Sequence, residues 1–103
     1  MKQVLVRYKV KEDRVAENEA LIREVYKELH ELKPAGFRYS TFKLDDGVSF
    51  VHVAFDENDI NPLPQLGAFR KFQSAIKERC AENPFVHAIT VTGSYEPVSD
   101  SKL

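Results

Sequence analysis

The sequence has one cysteine, one methionine, no tryptophan and no uninterrupted apolar segment long enough to cross a membrane. The single cysteine, Cys80, excludes an intrachain disulfide and a zinc site built from cysteines. The N-terminal segment MKQVLVRYKV alternates apolar and polar residues, which is the pattern of a strand and not of a signal peptide. We therefore expect a protein of a reducing, cytoplasmic compartment with no membrane partner.

The sequence also lacks an excess of positive charge. Fifteen lysines and arginines stand against sixteen aspartates and glutamates, which gives a net charge of −1. A nucleic-acid-binding surface needs clustered positive charge, and no run of basic residues supplies one, so we expect no nucleic-acid partner. The last three residues, SKL, match a peroxisomal address, and we interpret this short match as a coincidence.

The chain is long enough for one domain. Its 103 residues are 43% hydrophobic and 30% charged, an ordinary composition for a globular protein with its own core. We expect a single domain over residues 1–95, followed by a polar tail at 96–103.

Hydrophobic periodicity predicts four strands and two helices. Asp13 is the expected N-cap of the first helix, KPAG at 33–36 should end it, and DDG at 45–47 is typical of a hairpin turn. The strands are expected at 3–10, 37–44, 48–55 and 87–95, and the helices at about 13–33 and 65–82. This βαββαβ order predicts an α+β, ferredoxin-like sandwich with two helices on one face of a four-stranded antiparallel sheet. Right-handed crossovers place the first and third strands at its centre.

The third predicted strand is apolar on both faces. Val51, Val53 and Phe55 form one face, and Phe50 and His52 lie on the other, with Ala54. A strand of this kind is covered by two layers, and the chain supplies only one layer of helices. We therefore expect a homodimer that packs through the sheet. If Val51, Val53 and Phe55 face the helices, His52 faces the dimer interior.

His52 is the leading candidate for a functional residue, because histidine changes charge near neutral pH. Neighbouring strands could bring several polar residues and Phe50 to its face. The candidates are Arg7 from the first strand and Thr90 and Thr92 from the fourth. A two-residue turn at Asp46-Gly47 adds Thr41 and Tyr39, whereas a three-residue turn adds Arg38 and Ser40 instead.

The other candidate residues favour structural roles. His30 and His87 are expected at the surface, and the three histidines lack metal-ligand spacing, so we predict no metal site. Cys80 is expected as a small core residue on the second helix. The basic residues of that helix are expected on a solvated face: Arg70, Lys71, Lys77 and Arg79.

The βαββαβ order, the Asp-Gly hairpin, the doubly apolar third strand and the aromatic second helix together resemble the dimeric α/β-barrel superfamily. Within it, the chain is most similar to the antibiotic biosynthesis monooxygenase-like branch, over about residues 2–95. The resemblance implies a sheet-to-sheet dimer and a cavity that binds a small aromatic ligand. It further implies oxygenation of quinol- or anthrone-type aromatics without metal or flavin, so no cofactor is expected.

The sequence departs from that branch at the motifs of its known active sites. The chain has no tryptophan, and its third strand ends in AFDEN, with Phe55 where a tryptophan is typical. Two functions therefore stay open. In the first, His52 is a general base and Arg7 stabilises the substrate anion. Tyr39, Thr41, Phe50, Thr90 and Thr92 then line the substrate site. In the second, the protein is a non-catalytic small-molecule-binding or structural homodimer.

Overall fold

The structure is a computed structural model that describes residues 2–95, so the predicted tail at 96–103 and its SKL sequence lie outside the described residues. Four antiparallel strands form one sheet in the order β2-β3-β1-β4, which confirms the predicted fold and the central position of β1 and β3. The strands are β1 (Lys2–Val10), β2 (Phe37–Lys43), β3 (Ser49–Asp56) and β4 (Cys80–Ala88). The helices are α1 (Val15–Leu32), α2 (Gly67–Ser74) and α3 (Ile76–Arg79), with 3₁₀ turns at Glu12–Arg14 and Leu63–Gln65.

The helices cover the face of the sheet that carries His52, so the condition under which His52 would face the dimer interior is not met. Tyr8 and Phe50 belong to the buried core together with Val25 of α1 and Phe72 of α2, so the even-numbered residues of β1 and β3 face the helices. His52 therefore lies under the helical layer, while Val51, Val53 and Phe55 face away from it. Because both faces of β3 are apolar, β3 alone could not decide the orientation. The more apolar face of β1 decides it: Val4, Val6, Tyr8 and Val10 against Leu5, Arg7 and Lys9.

The hairpin has the register of a two-residue turn. Thr41 pairs with His52, and the backbone N–H of Leu44 donates to the carbonyl of Ser49, so the register continues to the edge of the turn. Gly47 has a φ of 78°, a conformation that favours glycine. This register confirms the alternative that brings Thr41 and Tyr39 to the face of His52, and the alternative with Arg38 and Ser40 is wrong.

Helix α1 ends as predicted but does not begin as predicted. It stops at Leu32, where Lys33 adopts a left-handed conformation and donates its N–H to the carbonyl of Leu29. At the other end, Asp13 lies inside the 3₁₀ turn, and Arg14 precedes the helix with no side-chain cap. Asp13 is therefore not the N-cap.

The second half of the chain departs most from the expected boundaries. The long helix expected at 65–82 is the two helices α2 and α3, and the fourth strand begins at Cys80 instead of His87. The sequence ENP, interpreted as a helix stop, lies within β4, where Pro84 occupies an irregularity in the register with β1. Proline is tolerated there because β4 is an edge strand and the pairing is already interrupted. Cys80 is buried as expected, but in a strand.

Arg79, expected on a solvated face, is fully buried at 0% exposure. Its Nε donates to Oδ1 of Asn18, also fully buried, at 3.1 Å, and one terminal nitrogen donates to the carbonyl of Phe72 at 2.8 Å. Asn18 in turn donates to the hydroxyl of Tyr8 at 3.0 Å. These hydrogen bonds join α1, α2, α3 and β1 inside the core.

The other two histidines lie at the surface. His30 and His87 are exposed as expected. No cluster of three or more potential metal ligands occurs within residues 2–95. No helix in the same range has the length and apolar character needed to span a membrane.

We predict that Asn18→Ala destabilises the protein by about 2–4 kcal/mol. The substitution removes the hydrogen-bond partner of the buried Arg79 guanidinium and one partner of the buried Tyr8 hydroxyl. Denaturant unfolding followed by circular dichroism measures the change. Glu24→Ala, at an exposed position of the same helix, is the control and should leave the unfolding midpoint close to wild type. Equal effects of the two substitutions would contradict the prediction.

Candidate functional site

A cavity of about 400 Å³ lies between the sheet and the helical layer. Its floor comes from the helix-facing sides of β1 and β3, and its roof comes from α2 and the preceding turn. Aromatic rings make up much of the wall, and the pairs Phe37–Tyr39 and Phe69–Phe72 are stacked with ring centroids 6.0 and 6.2 Å apart. The polar side chains that line the cavity are Tyr8, Tyr39, His52, Asp56, Asp59, Asn61 and Gln73.

His52 lies at the centre of one polar region of this cavity. It is 5% exposed, and both of its ring nitrogens are within hydrogen-bond distance of hydroxyl groups. Nε2 is 2.8 Å from the hydroxyl of Tyr8, and Nδ1 is 2.6 Å from that of Tyr39 and 3.2 Å from that of Thr41. Thr41 also bonds with the hydroxyl of Tyr26 at 2.8 Å. Both ring nitrogens of His52 are therefore engaged by hydroxyl groups of the protein itself.

The buried arginine determines the direction of these hydrogen bonds. Arginine can only donate, so Oδ1 of Asn18 must face Arg79 and the amide nitrogen must face Tyr8. The Tyr8 oxygen accepts that bond, and its own proton is then directed to Nε2 of His52. In the neutral imidazole Nδ1 carries the proton, which it donates to the oxygen of Tyr39 and, over the longer distance, to Thr41. Each side chain in this series therefore donates to the next one, in the order Arg79, Asn18, Tyr8, His52 and Tyr39.

Burial keeps the side chains of His52, Tyr8 and Tyr39 neutral. It lowers the pKa of His52 to about 4, because the charged imidazolium is desolvated in the core. Burial raises the pKa of Tyr8 and of Tyr39 well above the ordinary value for a phenol. Among the hydrogen-bonded side chains from Arg79 to Tyr39, the charged group at neutral pH is consequently the Arg79 guanidinium, even though burial lowers its pKa as well.

The structure brings together only some of the residues predicted for the site. Tyr39 and Thr41 contact His52, as the hairpin register implied. Phe50 is buried beside Tyr8, with ring centroids 5.6 Å apart, but it does not line the large cavity. Arg7 pairs with Val51 and Phe85 on the other face of the sheet, so the expectation that it adjoins His52 is wrong.

The fourth-strand candidates are also displaced from the site. Thr90 and Thr92 lie beyond the end of β4 at Ala88 and are exposed, so their expected position beside His52 is wrong. Val86 is the β4 residue that lines the cavity instead. The cause is the early start of β4, which moves each of its residues relative to β1.

Sequence reasoning missed Asn18, Arg79 and Asp56. Asn18 lies three residues after Val15 on the apolar stripe of α1, and Arg79 lies three residues after Ile76 on the apolar side of α3. A polar residue at an apolar helical position is the signal that identifies such groups, because it must find a partner inside the core. Asp56 shares the face of His52 by strand alternation, which also could have indicated it.

Several solved structures share this fold. An antibiotic biosynthesis monooxygenase matches with a TM-score of 0.72 at 16% identity, covering 90% of this chain and 100% of its own. A protein from Mycobacterium tuberculosis matches with a TM-score of 0.72 at 14% identity, covering 92% and 98%. A mutant of a cofactor-independent oxygenase from Streptomyces nogalater matches with a TM-score of 0.66 at 16% identity, covering 90% and 94%. No protein-family model and no curated protein sequence matches the chain.

At identities this low, the likeness establishes the fold and not the activity. It confirms the predicted ferredoxin-like architecture and the resemblance to antibiotic biosynthesis monooxygenase-like proteins at the level of the fold. An activity must therefore be inferred from the side chains that surround His52 and the cavity beside it.

We predict that His52 makes the folded protein less stable in acid. Its pKa is about 4 in the folded state against 6.5 for an ordinary histidine, so the unfolded chain binds more protons between these values. Its contribution is complete above pH 6.5 and is lost as the pH falls towards 4, by about 3 kcal/mol. Urea unfolding across this range measures the loss. His52→Gln should flatten the profile, whereas His30→Gln, at an exposed site, should not; an unchanged profile in His52→Gln would contradict the assignment.

Proposed function

We propose that the cavity binds a small electron-rich aromatic molecule of the quinol or anthrone type and that the protein oxygenates it without a bound metal or flavin. The observation that carries this proposal is an aromatic-lined cavity that ends at the paired side chains of His52 and Tyr39. The fold, which is shared with an antibiotic biosynthesis monooxygenase and a cofactor-independent oxygenase, supports it.

The cavity suits a flat and uncharged ligand. Its volume lies within the range of small-molecule sites, and its stacked aromatic walls favour a planar ring system. Its lining residues, within the described part of the chain, include the carboxyl groups of Asp56 and Asp59 and no lysine or arginine. A ligand that already carries a carboxylate would be repelled, so the substrate enters as a neutral molecule.

The substrate supplies all four electrons that reduce O₂. An anthrone-type CH₂ group and O₂ give a carbonyl and water: one oxygen atom enters the ring, and the other leaves with the two hydrogens. The first step is the loss of a proton, since the resulting electron-rich anion can pass an electron to O₂. A hydrogen bond donated to an acceptor oxygen of that anion lowers the barrier.

We propose that Tyr39 provides this stabilisation. Its oxygen accepts the Nδ1 proton of His52, so its own proton is free to turn to an acceptor in the cavity or to the nearby hydroxyl of Thr41. An acceptor oxygen of the ligand can take this hydrogen bond. The sequence-based hypothesis makes His52 the general base. Because both of its ring nitrogens are hydrogen-bonded to hydroxyl groups, we propose that it positions Tyr39 instead.

Tyr39→Phe is expected to lower kcat for oxygenation of an anthrone or a quinol by at least about tenfold, because a donor to the developing anion is lost. Oxygen consumption measures kcat, and the intrinsic fluorescence of a bound naphthol measures affinity, which should change by less than about threefold. Tyr95→Phe, at an exposed residue outside the cavity, is the matched control. Full activity of Tyr39→Phe would overturn the role of this hydroxyl.

The alternative function is a non-catalytic homodimer that binds a small molecule or is purely structural. The observation that favours association is the sheet face opposite the helices, here called the outer face. It carries an apolar group of residues beside polar ones that include Arg7, Arg38 and Ser40; the apolar members are Leu5, Phe42, Val51, Val53, Phe55 and Phe85. Phe42 and Phe85 are 53% and 66% exposed in the single chain. We propose that two copies pack through their outer faces, an arrangement compatible with either function.

Val53→Arg should prevent this association, because it places a charge at the centre of the outer face. Light scattering is expected to give the mass of a dimer for the wild type and of a monomer for the variant. Leu32→Arg, at the exposed end of α1, is the control and should remain dimeric. A monomeric wild type would exclude the proposed association.

A further inference from the structure

Asp56, the last residue of β3, is a buried carboxyl group in the cavity wall. It is 6% exposed. Its Oδ1 accepts the backbone N–H of Asn58 at 2.9 Å, and its Oδ2 makes no hydrogen bond with any group from Gln3 to Tyr95. No basic side chain in that range forms an ion pair with it. One oxygen of a buried carboxyl group is thus left for a ligand.

The turn after β3 does not account for the charge. The bond to Asn58 needs one acceptor oxygen, which an asparagine or serine would supply equally well at this position. The residue opposite Asp56 on β1 is Lys2. Among the described side chains, the second oxygen of Asp56 has no partner, and a buried carboxyl oxygen in a cavity wall is a candidate for contact with a ligand.

The position of Asp56 complements that of Tyr39. Asp56 and His52 lie on the same face of β3, four residues apart, or about 13 Å along the strand. One end of the cavity therefore offers the Tyr39 hydroxyl as a donor, and the other end offers a carboxylate as an acceptor. A flat molecule with an acceptor oxygen on one edge and a hydroxyl group on the other matches both ends.

We propose that Asp56 is the catalytic proton acceptor of the site and that it binds the hydroxyl group of an aromatic ligand through Oδ2. This inference rests on the proposed oxygenase function. The ligand O–H bond breaks, its electron pair stays on the ligand oxygen, and the proton forms a carboxylic acid with Asp56. After O₂ has added to the ring, Asp56 returns the proton to the peroxide anion. The hydroperoxide then loses water and leaves a carbonyl group.

The binding part of this proposal is tested with two probes that differ only in the hydroxyl proton, 2-naphthol and 2-methoxynaphthalene. Wild-type protein should bind 2-naphthol about tenfold more tightly, and Asp56→Asn should reduce this preference to about threefold or less. The Asn side chain keeps an acceptor for the N–H of Asn58, so the turn is retained. Asp45→Asn, in the exposed hairpin turn, is the matched control and should keep the full preference. An undiminished preference in Asp56→Asn would overturn the assignment.

The catalytic part is tested by turnover of a quinol, which carries the hydroxyl group that Asp56 is proposed to deprotonate. Asp56→Asn should lower kcat by about 100-fold or more with a smaller change in KM, and Asp56→Glu should restore part of the loss. Unchanged kcat in Asp56→Asn overturns proton transfer to Asp56. If wild-type protein oxidises no quinol or anthrone, the oxygenase function and the proton-transfer step both fail, whereas the naphthol pair still decides whether Asp56 binds a hydroxyl group. The two failures are therefore distinguishable.

Discussion

A guanidinium group that solvent does not reach sets the arrangement of the whole polar interior. Arg79 must donate its hydrogen bonds inside the core, and it finds acceptors in Asn18 and in the backbone of α2. From that requirement the orientation of the Asn18 amide follows, then the direction of the Tyr8 hydroxyl, and then the position of the proton on His52. The same hydrogen bonds hold the helical layer over the sheet. The shape of the cavity and the orientation of the polar groups around His52 therefore depend on them together.

Local patterns were sufficient for most of the architecture. Alternation located β1 and β3, helical spacing located α1, and the Asp-Gly turn gave the register that brings Thr41 beside His52. The boundary between α3 and β4 escaped prediction because Cys80 continues the helical apolar spacing, so tertiary pairing with β1 had to override it. Arg7 was misplaced for a related reason: no turn joins β1 to β3, and their register is set only by packing.

The segment AFDEN illustrates how a fold can persist while a site changes. Phe55 points to the outer face, and the next residue, Asp56, lines the cavity. Alternation along the strand separates the two roles completely, since successive side chains lie on opposite faces. Solved structures with 14–16% identity can thus share this sheet without sharing the residues that line its cavity.

Pro84 has a consequence for how copies of the chain can meet. A proline offers no N–H to a neighbouring strand, and the pairing around it is already irregular, so the free edge of β4 cannot template a regular continuation of the sheet. Edge-to-edge growth into extended multichain ribbons is therefore blocked on that side. The interruption of one strand therefore removes one of the two edges of the sheet from regular strand pairing, and β2 is the edge at which such pairing stays possible.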